Sequence, residues 1–154
     1  MNIKQAPIDI KKFWVDSVSF DIVPLPPDNK KQQLPPIPLE IDFNVLADPR
    51  NKKQIRIVVH IAGNREKKVA GYSFRIAAEG LFEFSRNVPQ DEAELDEALN
   101  LALPILIHSV RSYLLTLTAM APYGPFPLPM PDTRDILEQK RLAALARKAP
   151  ESKA

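Results

Sequence analysis

Two histidines, a few serines and one acidic run are the side chains here that could do acid–base or nucleophilic chemistry, and the setting of each argues against it. His60 falls on the polar phase of an alternating segment and His108 in an apolar helical one, the settings of a solvated and a packed histidine rather than of a ligand or general base. Cysteine is absent, and two histidines without a tight carboxylate cluster make a poor metal site. Ser17, Ser19, Ser109 and Ser112 have no sequence context of an activated nucleophile. The four glycines form neither a phosphate loop nor a dinucleotide fingerprint. The run DEAELDE, Asp91 to Glu97, reads as the solvated first turn of a helix. No catalytic residue, metal or cofactor is expected, and an enzyme is the least favoured class.

Apolar side chains in stiff segments are what the sequence offers instead. PLPPDNKKQQLPPIPL, Pro24 to Leu39, holds six prolines in sixteen residues yet carries Leu25, Leu34 and Ile37. PYGPFPLPMP, Pro122 to Pro131, presents Phe126, Leu128 and Met130, and Ile136 and Leu137 follow in a last helix. Proline fixes φ, so an extended segment built on it stays open at little entropic cost on binding. Two readings stay open from the residues alone: covers folded over the sheet ends, or walls of an apolar binding groove.

The elements that must position these segments follow from periodicity. Phe13–Val23, with Val18, Phe20 and Ile22 on one phase, reads as a strand. Leu39–Val45 and Gln54–Ile61 alternate likewise, and Tyr72–Phe84 keeps its phase through Gly80, read as a bulge or close backbone approach. From Asp91, a helix cap, to Ala121 the spacing is helical, with Leu95, Leu99, Leu106, Val110, Leu114 (or Tyr113) and Leu117 as one stripe and Leu101, Ile105 and Leu115 pointing elsewhere. Pro104 is expected to kink or break this helix. A helix apolar on two sides needs two covers, the sheet and a partner subunit. A short helix after Asp132 completes an α+β chain: a four-stranded antiparallel sheet, a long helix and a short C-terminal one.

Composition bounds the class. A chain of 154 residues with 45% apolar and 26% charged residues suits one soluble domain, placed at 1–148, with a disordered tail at 149–154. The net charge of +2 is spread along the chain. The runs Lys30, Lys31 and Arg50, Lys52, Lys53 read as solvated turns, so no nucleic-acid partner is expected. The N-terminus lacks the apolar core of a signal peptide, and His108 and Arg111 interrupt the longest apolar stretch, so neither a leader nor membrane insertion is expected. A cytoplasmic location is the default.

Element order and several motifs together resemble SecB, the bacterial protein-export chaperone, from about Ile10 to Leu145. The motifs are VSFD at Val18–Asp21, EGLFEF at Glu79–Phe84, LIHSVR at Leu106–Arg111 and PFPLPMP at Pro125–Pro131. The resemblance implies an ATP-independent holdase for unfolded polypeptides or preproteins, assembled as a homotetramer, a dimer of dimers. It implies a client groove with Leu25, Leu34 and Ile37 on one wall and Ile136 and Leu137 on the other, joined by Phe126, Leu128 and Met130. It also implies a subunit interface through Leu101, Ile105, Ser112 and Leu115. The family docks its motor SecA on acidic residues of the exposed sheet face. The matching positions are Ser17, Asp21 and Arg75, of which only Asp21 keeps the charge, so attraction to a basic partner is weakened. Ile107, His108 and Ser109 replace the family's Phe-Pro-Tyr, and PDTRDIL lacks its Asn-Phe. Alternatives are a solitary SecB-like chaperone for one client such as an antitoxin, without SecA, and a non-catalytic structural or interaction protein.

Overall fold

The computed structural model describes residues 1, 6–28, 34–66 and 68–148; Lys30, Lys31 and the expected tail lie outside them. Four strands, β1 (Ile8–Val23), β2 (Leu39–Ala47), β3 (Gln54–Gly63) and β4 (Gly71–Phe84), precede two helices, α1 (Glu92–Thr118) and α2 (Thr133–Lys148). The sheet is antiparallel throughout in the order β1-β4-β3-β2, which makes the fold α+β as expected. β1 and β2 are therefore opposite edges of the sheet. The proline-rich stretch between them must carry the chain across three strand spacings, about 14 Å, and proline suits an extended span with no ladder to donate to.

β1 begins at Ile8 rather than at Phe13, and the reason is a pair of bulges. Its register with β4 skips Lys11 and Asp16. Each skipped residue resets the alternation, so Ile8, Ile10, Phe13, Val15, Val18, Phe20 and Ile22 all stay on one face, opposite Phe84, Phe82, Gly80, Ala78, Ile76, Phe74 and Tyr72. A strict period of two cannot detect such a strand. The bulge considered at Gly80 thus belongs to β1, and Gly80 is the close approach: a Cβ there would lie 2.7 Å from Phe82 Cε2 and 3.1 Å from Leu106 Cδ1.

That contact is where α1 seats on the sheet. Leu103, Leu106, Ile107, Val110 and Leu114 bury against Ile57, Val59, Phe74, Ile76 and Phe82. Asp91 caps the helix, its Oδ2 accepting the Glu94 N–H at 3.2 Å. Pro104, expected to kink or break the helix, does not break it: α1 continues through it. The ring forfeits one intrahelical bond, while the buried side chains on both sides of it hold the helix to the sheet. Leu117, expected in the stripe, is 37% exposed, and Thr118 takes its place. The Thr118 hydroxyl donates to the Leu114 carbonyl at 2.7 Å and accepts the Phe126 N–H at 2.8 Å, turning the chain at the end of the helix. On length and composition α1 could also cross a membrane, which the sequence reading did not anticipate; its buried stripe packs on the sheet.

The outer sheet face carries one electrostatic conflict created by the second bulge. Glu79, whose side chain is only 15% exposed, lies near Asp16 and meets Arg56 Nε at 3.2 Å as a charge contact without an aligned hydrogen bond. Burial first, and then Asp16, push the Glu79 carboxyl above its ordinary value, against the opposing pull of Arg56. A raised folded-state value means stability that is present in acid and lost as pH rises through it. Glu79→Gln is therefore expected to raise the unfolding midpoint at neutral pH, with the gain vanishing below about pH 4; a thermal melt series against pH checks this. Gly80→Ala is expected to cost about 1–3 kcal/mol in denaturant unfolding, because the new methyl displaces Phe82 and α1.

Candidate functional site

Tyr72 on β4 is buried, and its hydroxyl must be satisfied inside the protein. It accepts the Tyr123 N–H at 2.9 Å and donates to the Gly124 carbonyl at 2.8 Å. Burial raises the phenol above its ordinary value, so it remains a neutral donor. Tyr123 passes the link on: its own hydroxyl accepts the Leu25 N–H at 2.9 Å. Two hydroxyls thereby tie both proline-rich segments to one point of the sheet. Around it the rings of Phe20, Tyr72, Tyr123, Phe126 and Phe74 form a chain of contacts with centroids 5.1 to 6.4 Å apart.

A cleft of about 300 Å³ opens against these rings. Leu34, Pro35, Pro36 and Ile37 form one wall, and Tyr123, Pro125, Phe126, Pro127 and Pro129 the other, with Tyr72 and Gly71 at the base. Gly71 has φ +129°, open to glycine but strained for other residues, and lets the chain turn into β4 beside Leu34. Asn64 sets up that turn from the far side. At φ 57° and fully buried, it holds the Val69 carbonyl and N–H through its amide, each at 2.7 Å.

A second groove, about 540 Å³, runs between β2 and α2, with Ile41, Phe43, Ile136, Ala143 and Ala144 as apolar lining and Asp42, Lys140 and Arg147 as charged lining. Ile37 and Ile41 lie on the two successive stretches, about 13 Å apart along an extended chain. Burial alone would raise the Asp42 carboxyl, but the Lys140 ammonium at 2.6 Å and the Phe43 N–H outweigh it and hold it below the usual carboxylate value.

The expected groove residues are thus only partly brought together. Leu34, Ile37 and Phe126 share the cleft, but the wall opposite Leu34 and Ile37 is Tyr123 and Phe126, not α2. Ile136 lines the second groove, while Leu137 faces α1 in a third hollow with Asp96, Asn100 and Arg141. Neighbouring residues on a helix point about 100° apart, so one groove cannot take both. Leu128 is fully buried in the core, Leu25 is half-buried and lines neither hollow, and Met130 is exposed outside both. The tyrosines, Asp42 and Lys140 were not among the expected site residues; an aromatic hydroxyl beside a proline-rich turn was the one available signal for the former.

Ser17, Asp21 and Arg75 do share the outer sheet face, on β1 and β4. Asp21 is already within 3.8 Å of Arg65. On α1, Leu101, Ile105 and Ser112 are exposed and Leu115 is half-buried, and with His108 between them they follow the alternating four- and three-residue spacing of a helix–helix seam. His108, expected to be packed, is exposed in that same seam. On β1, Val18 and Ile22 turn toward the helix side of the sheet yet remain 41% and 45% exposed. Among the described residues no cluster of three His, Asp or Glu could hold a metal ion.

No family model and no curated protein matches the chain. Solved structures do resemble it. The SecB-like chaperone of Mycobacterium tuberculosis, in complex with a ChAD peptide from the HigA1 antitoxin, superposes with a TM-score of 0.58 at 20% identity over 81% of this chain and 91% of that one. A protein of unknown function from Streptococcus agalactiae has a TM-score of 0.48 at 17% identity, over 79% of this chain and 96% of that one. The chain has the α+β fold of the mycobacterial SecB-like chaperone.

Proposed function

We propose that the chain is an ATP-independent holdase that binds extended apolar segments of non-native polypeptides. The observation that carries this reading is the cleft of Leu34, Ile37, Tyr72, Tyr123 and Phe126, walled by proline-stiffened backbone, with the separate Ile41–Ile136 groove following on β2. A fold shared with a SecB-like chaperone bound to a peptide supports it. Each Leu- or Phe-sized client side chain removed from water contributes roughly 1.5–3 kcal/mol. Micromolar affinity needs about 8 kcal/mol beyond ordering costs, so one cleft binds weakly and several on one assembly bind tightly. Folded proteins have buried such segments already, which selects for unfolded ones.

The assembly proposed is a homotetramer in the cytoplasm, closed through the seam of Leu101, Ile105, Ser112 and Leu115. A partner helix there would cover Leu101 and Ile105, which this chain leaves in solvent. Between general preprotein export and service to a single client such as an antitoxin, the outer face favours the second. Arg65 partly neutralises Asp21 and Arg75 stands where the SecB resemblance implies an acid, so this face attracts a basic partner such as SecA weakly. The antitoxin peptide on the mycobacterial protein points the same way.

Leu34→Asp combined with Ile136→Asp is expected to abolish suppression of a denatured client's aggregation, measured by light scattering at near-stoichiometric ratio. Leu145→Asp, on the exposed side of α2, is expected to leave it intact. Wild-type protein without effect on aggregation contradicts the reading. Ile105→Asp is expected to reduce the subunit number in multi-angle light scattering while leaving the far-ultraviolet circular dichroism unchanged.

A further inference from the structure

Helix α2 is fastened to the rest of the chain by two half-buried side chains and by a few exposed charge contacts. None of its side chains is fully buried, Ile136 and Leu137 pack only partly against the core, and Leu142 and Leu145 are more than half exposed. Among the described residues, two adjacent ones make its polar ties. Arg141 reaches α1, with Nη2 2.6 Å from Asp96 Oδ2 and Nε 3.7 Å from Glu92 Oε1. Lys140 reaches β2, its Nζ 2.6 Å from Asp42 Oδ1, 2.6 Å from the Phe43 carbonyl and 3.4 Å from Asn44 Oδ1. The same ammonium lies 5.2 Å from the centroid of the Phe43 ring.

The tie to β2 falls on an open sheet edge. The Asn64 N–H donates to the Pro38 carbonyl, which places Pro38, Glu40, Asp42, Asn44 and Leu46 in the set that bonds β3. The alternate residues Leu39, Ile41, Phe43 and Val45 turn their backbone groups outward, and among the described residues no strand lies beyond them. At Phe43, midway along, both outward groups are already taken within the chain. Its N–H goes to Asp42 Oδ1 at 2.9 Å and its carbonyl to Lys140. A row of outward groups at every second residue is matched by one occupant, another extended backbone, and that occupant needs the two groups that Asp42 and Lys140 hold.

We infer that the Asp42–Lys140 contact is an autoinhibitory latch: it holds α2 against the β2 edge through the backbone of Phe43, and an extended polypeptide segment pairs with that edge only once Lys140 is displaced. For the identity of the occupant, and for that alone, the latch rests on the proposed function. Lys140 then acts as a one-residue substitute for a strand. Being an exposed ion pair, it yields to salt, so ionic strength sets how often the edge is open.

Hydrogen exchange on the intact chain without any client reads the latch itself. Lys140→Met removes the ammonium while keeping an unbranched apolar stem of similar helix propensity. Amides of α2 and of Phe43 are expected to exchange roughly three- to tenfold faster than in the wild type, with β3 and β4 unchanged. Half-molar sodium chloride is expected to speed α2 exchange more in the wild type, which has both ties to lose, than in the variant, which keeps only the Arg141 pairs. Asp42→Asn repeats the reading from the other partner. Reduced, carboxymethylated α-lactalbumin, which stays unfolded, is expected to bind the Lys140→Met protein several-fold more tightly. Unchanged α2 exchange in both variants overturns the latch, and so does weaker client binding by a variant whose α2 exchanges faster. Binding by neither protein, with α2 still loosened by the substitution, supports the latch and counts against the holdase reading instead.

Discussion

Tyr72 projects a buried hydroxyl from β4, and a buried hydroxyl left without partners costs a few kcal/mol. Its two partners lie in the segment after α1, and one of them, Tyr123, offers a second hydroxyl to the first residues of the crossing loop. Segments far apart in sequence are thereby fixed to one point of the sheet. Proline alone makes a segment stiff, but stiffness does not decide where it goes. The hydroxyls decide it, and the distance between the two arms sets the width of the cleft.

Stability is unevenly distributed around that point. The β3–β4–α1 core is made of side chains with no exposure at all, among them Ile57, Phe74, Ile76, Leu106 and Val110. α2 has none. Local opening is easiest where few apolar contacts resist it, so motion belongs to α2 and the core remains a fixed base. The groove between α2 and β2 thus has one rigid wall and one displaceable wall, while the proline cleft has two rigid ones. An extended segment running along both would meet a preformed anchor first and an adjustable one second, which limits the ordering cost of binding.

Much of this was legible in the sequence because burial writes a period. β2, β3 and β4 each bury one phase of an alternation, and their ends follow from turn residues such as Asn64. β1 was half legible, since Lys11 and Asp16 break the period without breaking the strand. Leu128 looked like groove lining because proline neighbours hide whether a residue points in or out; it fills the core. Ile136 and Leu137 were both apolar and adjacent, and only the helical rotation between them separates their surroundings. Lys140 was illegible for a different reason. A lysine on an exposed helix is ordinary, and its meaning comes from a backbone carbonyl 97 positions away in sequence.

The central claim is that proline-held apolar walls receive an unfolded chain, and methyl nuclear magnetic resonance tests it most directly. With Leu and Ile methyl groups labelled, an unfolded polypeptide is titrated into the assembled protein. The account predicts that the resonances of Leu34 and Ile37 shift first, followed by Ile41 and Ile136, while the fully buried methyls of Ile57 and Leu106 stay in place. Shifts confined to Leu101 and Ile105, or no shift at the cleft at saturating polypeptide, would contradict it.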